Sequence, residues 1–256
     1  MQTLNISLIQ TALHWEDVDA NLQMFTRKIE GITDANIIVL PEMFSTGFTM
    51  NSTDMAELLG GKTTRWMKDL AAKKQAVITG SIIIEEGGKH YNRLIWMQPD
   101  GIFYTYDKRH LFRMGNEHEY YSAGNKKLVV EYKGWRVCPM ICYDLRFPVW
   151  IRNKNEYDLL LFVANWPARR NQHWKQLLIA RSIENQCYTL GVNRVGDDGN
   201  GVNHSGPTMA VDPLGQILAE QTDTEAILHV ILDLKLVQEY REKFPAHLDA
   251  DDFEVR

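Results

Sequence analysis

The sequence predicts an α/β fold in which sheets are sandwiched by helices. Three observations predict it: strand-like and helix-like segments alternate early in the chain, short runs of branched apolar residues lack polar alternation and so suit strands buried on both faces, and later strands come in pairs joined by Gly and Pro turns. Periodicity alone leaves the strand order open.

The first strand is read at residues 5–10, and the helix after it carries Leu22, Phe25, Ile29 and Ile32 at spacings of three and four. The run at residues 36–40 reads as a doubly buried strand that stops at Pro41, which cannot donate to a ladder, so Glu42 sits just past a strand end. A helix at residues 64–74 leads into the strand at 76–84 and further strands separated by turns at 86–89 and 98–101. The strand at 102–108 delivers Lys108 at its end, and residues 109–125 read as an irregular loop long enough to suggest function or disorder. After a turn at Lys133 and Gly134, the strand at 135–142 ends on Cys142, followed by a turn and short helix over 143–153. Another buried strand is read at 157–165, a helix at 173–186, a strand at 187–194, a tight turn at 197–201, and a terminal hairpin at 208–217.

No composition shift, 20-to-50-residue repeat or low-complexity linker divides the 256 residues, so a single domain spanning 1–256 is expected, and 45% apolar composition supports a sizeable core. A formal charge of −5 opposes a nucleic-acid partner, and the basic cluster at 107–113 is too short for a phosphate-binding stripe. The N-terminus lacks the features of a signal peptide, and no apolar run approaches the roughly 20 residues of a membrane span. Three cysteines, Cys138, Cys142 and Cys187, cannot all pair, so no disulfide framework is expected and a reducing cytoplasm is the simpler home, while the lack of a long apolar run argues against a membrane partner.

Strand ends are where α/β folds usually gather their sites. A thiol at a sharp strand-to-helix turn is placed for reaction, with helix N–H groups favouring thiolate, which singles out Cys142; a buried core cysteine is the competing reading. Cys138 and Cys187 lie within apolar strands and read as core. Histidines 110, 118, 173 and 204 have no distinctive spacing to Cys142, and no paired Cys/His pattern suggests zinc. Glu42 and Lys108 each follow an apolar strand, where a charge must reach solvent or find a partner; capping or surface roles compete.

Three blocks, LPEMFSTGF at 40–48, YDKRHLF at 106–112 and ICYDLRFP at 141–148, resemble in order and spacing the signature segments of the nitrilase superfamily. Similarity continues in VANWPARR, RSIENQCY and DPLGQI, covering residues 3–235, and the tail YREKFPAHLDADDF is similar to short bacterial members of the omega-amidase branch. EHEYYSAG at 117–124 resembles the second-glutamate block, after a shorter loop than in many members.

The resemblance implies a four-layer αββα sandwich that pairs as a homodimer, and cofactor-free, metal-free hydrolysis of a small-molecule amide. It implies Cys142 as nucleophile, Glu42 as proton shuttle, Lys108 with the Tyr143 backbone N–H as oxyanion donors, and Glu117 orienting Lys108 or the substrate amide. The omega-amidase branch implies keto-acid monoamides such as 2-oxoglutaramate or 2-oxosuccinamate. Arg146 is then a candidate for the substrate carboxylate, against a structural ion pair with Asp144 or Glu184, and Arg113 and Arg194 are weaker candidates. Asn165 and Trp166 are expected at the pocket floor, with core packing an equal account of Trp166. N-carbamoyl or aliphatic amide hydrolysis on the same site, and a non-catalytic binding protein on the same fold, are the alternatives.

Overall fold

The computed structural model describes residues 3–255; Arg256 lies outside the described residues, as do Met1 and Gln2, on which the reading of a missing signal peptide partly rests. The first half runs β1 (Thr3–Gln10), α1 (Val18–Glu30), β2 (Ile37–Val39), α2 (Ser52–Met55), β3 (Glu57–Leu58), α3 (Lys62–Lys74), β4 (Val77–Glu86), β5 (Lys89–Met97), β6 (Phe103–Asp107) and α4 (Glu117–Tyr120). The second runs β7 (Val130–Tyr132), β8 (Trp135–Ile141), α5 (Pro148–Ile151), β9 (Leu159–Val163), α6 (Asn171–Asn185), β10 (Tyr188–Val192), β11 (Val195–Asp197), β12 (Asn203–Ser205), β13 (Thr208–Val211), β14 (Ile217–Gln221), β15 (Ala226–Asp233) and α7 (Leu234–Lys243).

Side-chain alternation along the strands builds the layers. In β2, Ile37 and Val39 face one core while Ile38 faces another; in β5, Leu94 and Trp96 are split the same way from Ile95 and Met97. One face of this first sheet packs under α1 and α3 through Leu22, Phe25, Ile29, Met67 and Leu70. The opposite face joins the second sheet and α6 in a common core that includes Trp135, Phe162, Trp174 and Leu190. The result is a four-layer αββα sandwich.

The first sheet has the order β15-β1-β2-β4-β5-β6 with β3 added against β4, and the second the order β14-β13-β10-β9-β8-β7. β1, β2 and β4 are parallel, as are β8, β9 and β10. Because β5 runs antiparallel to both β4 and β6, β6 points the same way as β2. The chain therefore leaves β2 and β6 at one rim of the first sheet, and β8 and β9 leave the second sheet side by side.

The structure corrects several element boundaries. Residues 109–125 are structured: they contain a 3-10 turn at Arg113–Gly115 and α4. The turn and short helix read over 143–153 are present as a 3-10 segment, Cys142–Arg146, and α5 with Pro148 at its start. The strand read at 187–194 is interrupted after Val192, and β15 pairs with β1 along its whole length from a segment that carried no strand reading.

Candidate active site

Glu42 is placed by a tight turn. β2 ends at Val39, Pro41 follows, Met43 adopts a left-handed φ of 43°, and the Met43 N–H donates to Ser81 Oγ at 2.8 Å. Gly80 in β4 makes room for this turn, since a Cβ there would lie 2.8 Å from Phe44 and 2.9 Å from Leu40.

Lys108 follows β6, and its N–H donates to the Asn92 carbonyl at 3.0 Å. The chain then loops out and returns through Gly124, whose N–H donates to the Lys108 carbonyl at 2.9 Å. A Cβ on Gly124 would meet the Asp107 carbonyl oxygen at 2.2 Å, so this return needs glycine. The return folds α4 over the site and buries Glu117 completely.

Cys142 has a left-handed φ of 43° at the end of β8, a conformation costing a non-glycine residue on the order of 1 kcal/mol or more. Buried Asp144 holds this turn, accepting from the Ile141 N–H at 3.2 Å, the Tyr106 hydroxyl at 2.7 Å and the His110 N–H at 3.0 Å. The His110 ring also bonds Asp144 and stacks on Phe147, so this histidine supports the turn.

Lys108 Nζ donates to Glu42 Oε1 at 2.8 Å and to Glu117 Oε1 at 3.0 Å, with all three side chains at least 99% buried. The Phe48 ring covers it at 5.0 Å from the centroid. Glu42 Oε2 accepts from the Asn165 N–H at 2.8 Å, and the Asn165 side-chain amide donates to the Glu42 carbonyl at 2.5 Å. Glu117 Oε2 accepts from the Phe112 N–H at 2.6 Å.

Burial works against the Lys108 ammonium, but Glu117, Glu42 and Cys142 outweigh it and hold the amine charged well above the usual lysine range. Burial pushes the Glu117 carboxyl up, opposed by Lys108. For Cys142, burial and then Glu42 push the thiol well above its ordinary range, with Lys108 opposing. The expectation that helix N–H groups favour thiolate is therefore wrong. A short 3-10 turn cannot offset desolvation beside two carboxylates. The resting group is a thiol, and its neighbours are Glu42, Lys108 and Glu117 rather than a histidine. Cys138 is a fully buried core residue of β8, as expected; Cys187 is as buried but sits in the bend before β10 rather than within a strand.

Glu42, Lys108 and Cys142 form the floor of a cavity of about 250 Å³. Asn165 lines it, as does Trp166, which also packs on Trp174 at 5.2 Å, so both readings of Trp166 hold. Tyr143 and Arg146 line it as well. The ion-pair reading of Arg146 is overturned: Asp144 is occupied by Tyr106 and His110, and Glu184 by Arg181 at 3.0 Å. Arg146 instead donates to His173 Nδ1 at 3.0 Å and lies 4.8 Å from the Trp166 ring centroid. Arg113 and Arg194 are not cavity-lining residues: the first is exposed, and the second is buried behind the wall, donating to the Asp197 carbonyl at 2.9 Å.

Arg169 and Arg170, which sequence reading passed over within VANWPARR, line the cavity. Arg170 Nη2 is buried with no hydrogen-bond partner, and burial, Arg169 and Arg146 lower the group's pKa. Among the described residues, neither Arg146 nor Arg170 has a carboxylate in ion-pair range. Among those same residues, no group of three or more His, Cys, Asp or Glu side chains is placed to hold a metal ion, and no helix is long and apolar enough to cross a membrane.

A sequence model of carbon-nitrogen hydrolases matches residues 5–242. The chain belongs to the carbon-nitrogen hydrolase family. Within the nitrilase superfamily, it is 48% identical over 256 residues, the full length of both chains, to the omega-amidase YafV of Escherichia coli. It is 36% identical over 220 residues to the 2-oxoglutaramate amidase of Bacillus subtilis, covering 84% of this chain and 85% of that one. The crystal structure of a family member from Xanthomonas campestris, which carries an arsenic adduct in its active site, matches all of both chains with a TM-score of 0.98 and 43% identity. This carbon-nitrogen hydrolase is thus an amide-hydrolysing enzyme.

Proposed function

We propose that the enzyme is an omega-amidase that hydrolyses the terminal amide of short keto-acid monoamides, 2-oxoglutaramate or 2-oxosuccinamate, to the acid and ammonia. One observation carries this reading: a small cavity with a buried Glu, Lys and Cys at its floor is rimmed by Arg146 and Arg170, guanidiniums with no carboxylate of their own. A chain of net charge −5 that concentrates arginine at one cavity suits an anionic substrate. The names of the two amidase relatives support the same substrate class.

In this mechanism, Cys142 Sγ attacks the amide carbon as Glu42 Oε2 takes the thiol proton. Glu42 Oε1 accepts from both Lys108 and a buried amide, whereas Oε2 accepts the single Asn165 N–H and keeps a lone pair for the proton. The remaining Lys108 N–H and the Tyr143 backbone N–H hold the developing oxyanion, and preorganised donors of this kind are typically worth a few kcal/mol. Glu42 returns the proton to the departing nitrogen, ammonia leaves, and a Cys142 thioester remains. Glu42 then activates water, whose attack releases the carboxylic acid and restores the thiol. Glu117 holds Lys108 in place. Protein groups supply every step, so no cofactor is invoked.

Arg146 takes the substrate carboxylate, assisted by Arg170. The test is Arg146→Leu: KM for 2-oxoglutaramate should rise about tenfold or more, the loss of a charge-assisted hydrogen bond, while turnover of an uncharged aliphatic amide is unchanged. Equal losses on both amides would remove the carboxylate role.

The proposal extends to a single working unit over 1–256, acting in the cytoplasm as a homodimer. Val149 of α5, Ile183 of α6 and Leu214 beyond β13 are 57%, 48% and 46% exposed, an apolar set suited to pairing.

A further inference from the structure

One buried side chain in the cluster has no part in these steps. Asn92 lies within β5 opposite Ile83, completely buried and away from the cavity lining. Its Nδ2 donates to Glu42 Oε1 at 2.8 Å and to Glu117 Oε1 at 3.2 Å. These are the two oxygens that Lys108 Nζ reaches at 2.8 and 3.0 Å. Two carboxylate oxygens are thus bridged twice, by an ammonium and by a neutral amide. The amide orientation follows from chemistry, because the reverse flip would aim Oδ1 at two carboxylates. In the chosen orientation Oδ1 is buried without a partner, an unfavourable arrangement that an apolar residue would avoid.

We propose that Asn92 is a positioning residue for the proton shuttle: it holds Glu42 Oε1 and Glu117 Oε1 against Lys108 and so keeps Glu42 Oε2 turned toward the Cys142 thiol. The proposal rests on Glu42 being the proton acceptor. The charged and titratable groups around Glu42 are Lys108 beyond β6, Glu117 of α4, Cys142 beyond β8 and Tyr121 beyond α4. Asn165, beyond β9, adds a neutral donor. Asn92 supplies the second neutral donor, and it also reaches Glu117, so its loss frees both carboxylates to turn.

The experiment measures kcat and KM for 2-oxoglutaramate in Asn92→Leu and Asn92→Ser, with thermal unfolding recorded and Glu42→Gln run in parallel. The expected result in either folded variant is an unchanged KM and a kcat lower by about tenfold or more, the loss of a charge-assisted hydrogen bond. A wild-type kcat, or a KM that rises as much as kcat falls, overturns the proposal. So does failure of both variants to fold, which would assign Asn92 to folding alone. Retained turnover in Glu42→Gln would instead remove the underlying assignment of the base.

Discussion

At the scale of single residues, the site is a balance of buried charge. Lys108 is the counter-ion for both Glu42 and Glu117, and all three are at least 99% buried. Lys108→Met should therefore destabilise the fold by about 3–5 kcal/mol, the usual consequence of stripping one partner from a buried pair, and also abolish turnover. Denaturant unfolding at neutral pH checks the first part; a loss below 1 kcal/mol would mean that the carboxylates have another cation. Cys142→Ala removes no charge, so hydrolysis should vanish with unfolding unchanged. Glu42, Lys108 and Cys142 share an address at the end of an apolar strand, but it was the three blocks at 40–48, 106–112 and 141–148, resembling the family's signature segments, that made them legible in the sequence. Asn92 was not, because within HYNRLIWM a polar residue fits ordinary strand alternation. Its burial comes from tertiary contacts, with Glu42 beyond β2 and Glu117 of α4. Arg170 was hidden for a similar reason: adjacent arginines after a proline look solvated until the cavity wall encloses one of them.

At the scale of elements, turns carry the precision. Gly80→Ala should overpack the exit of β2, costing about 1–3 kcal/mol and displacing Glu42, so kcat should fall more than KM rises. Equal stability and full turnover would show that the Glu42 turn does not depend on the close approach of β4. The β11–β12 hairpin predicts a pH effect. Burial, and then Arg194, lowers the pKa of His204 from 6.5 to about 4. Between those values the unfolded chain binds the proton and the folded one does not, so this contribution is full above pH 6.5 and fades as pH falls toward 4. Over that window the loss is on the order of 3 kcal/mol, and His204→Gln should flatten that part of the stability profile. An unaltered slope would assign the acid sensitivity elsewhere. The doubly buried strands and the α1, α3 and α6 helices were legible from periodicity, whereas β7, β12 and β15 were not. The structured stretch at 109–125 was not, because its order comes from contacts of Glu117 and Gly124 with β6 rather than from any local repeat.

At the scale of the whole molecule, two sheets bring the ends of β2, β6, β8 and β9 to one site, a convergence that strand order alone could establish and that sequence periodicity leaves open. The exposed apolar set on α5 and α6 predicts association: sedimentation of the wild type should give about twice the chain mass, and Ile183→Glu should shift it toward one. A wild type that sediments as a monomer would remove the dimer from the account. The central claim is the substrate class, and the most direct measurement is ammonia release from 2-oxoglutaramate beside N-carbamoyl-β-alanine and a simple aliphatic amide, with Cys142→Ala as the control. The account predicts selective release from the keto-acid amide and none from the variant; release from only one of the other two would keep the cysteine chemistry and contradict the omega-amidase assignment.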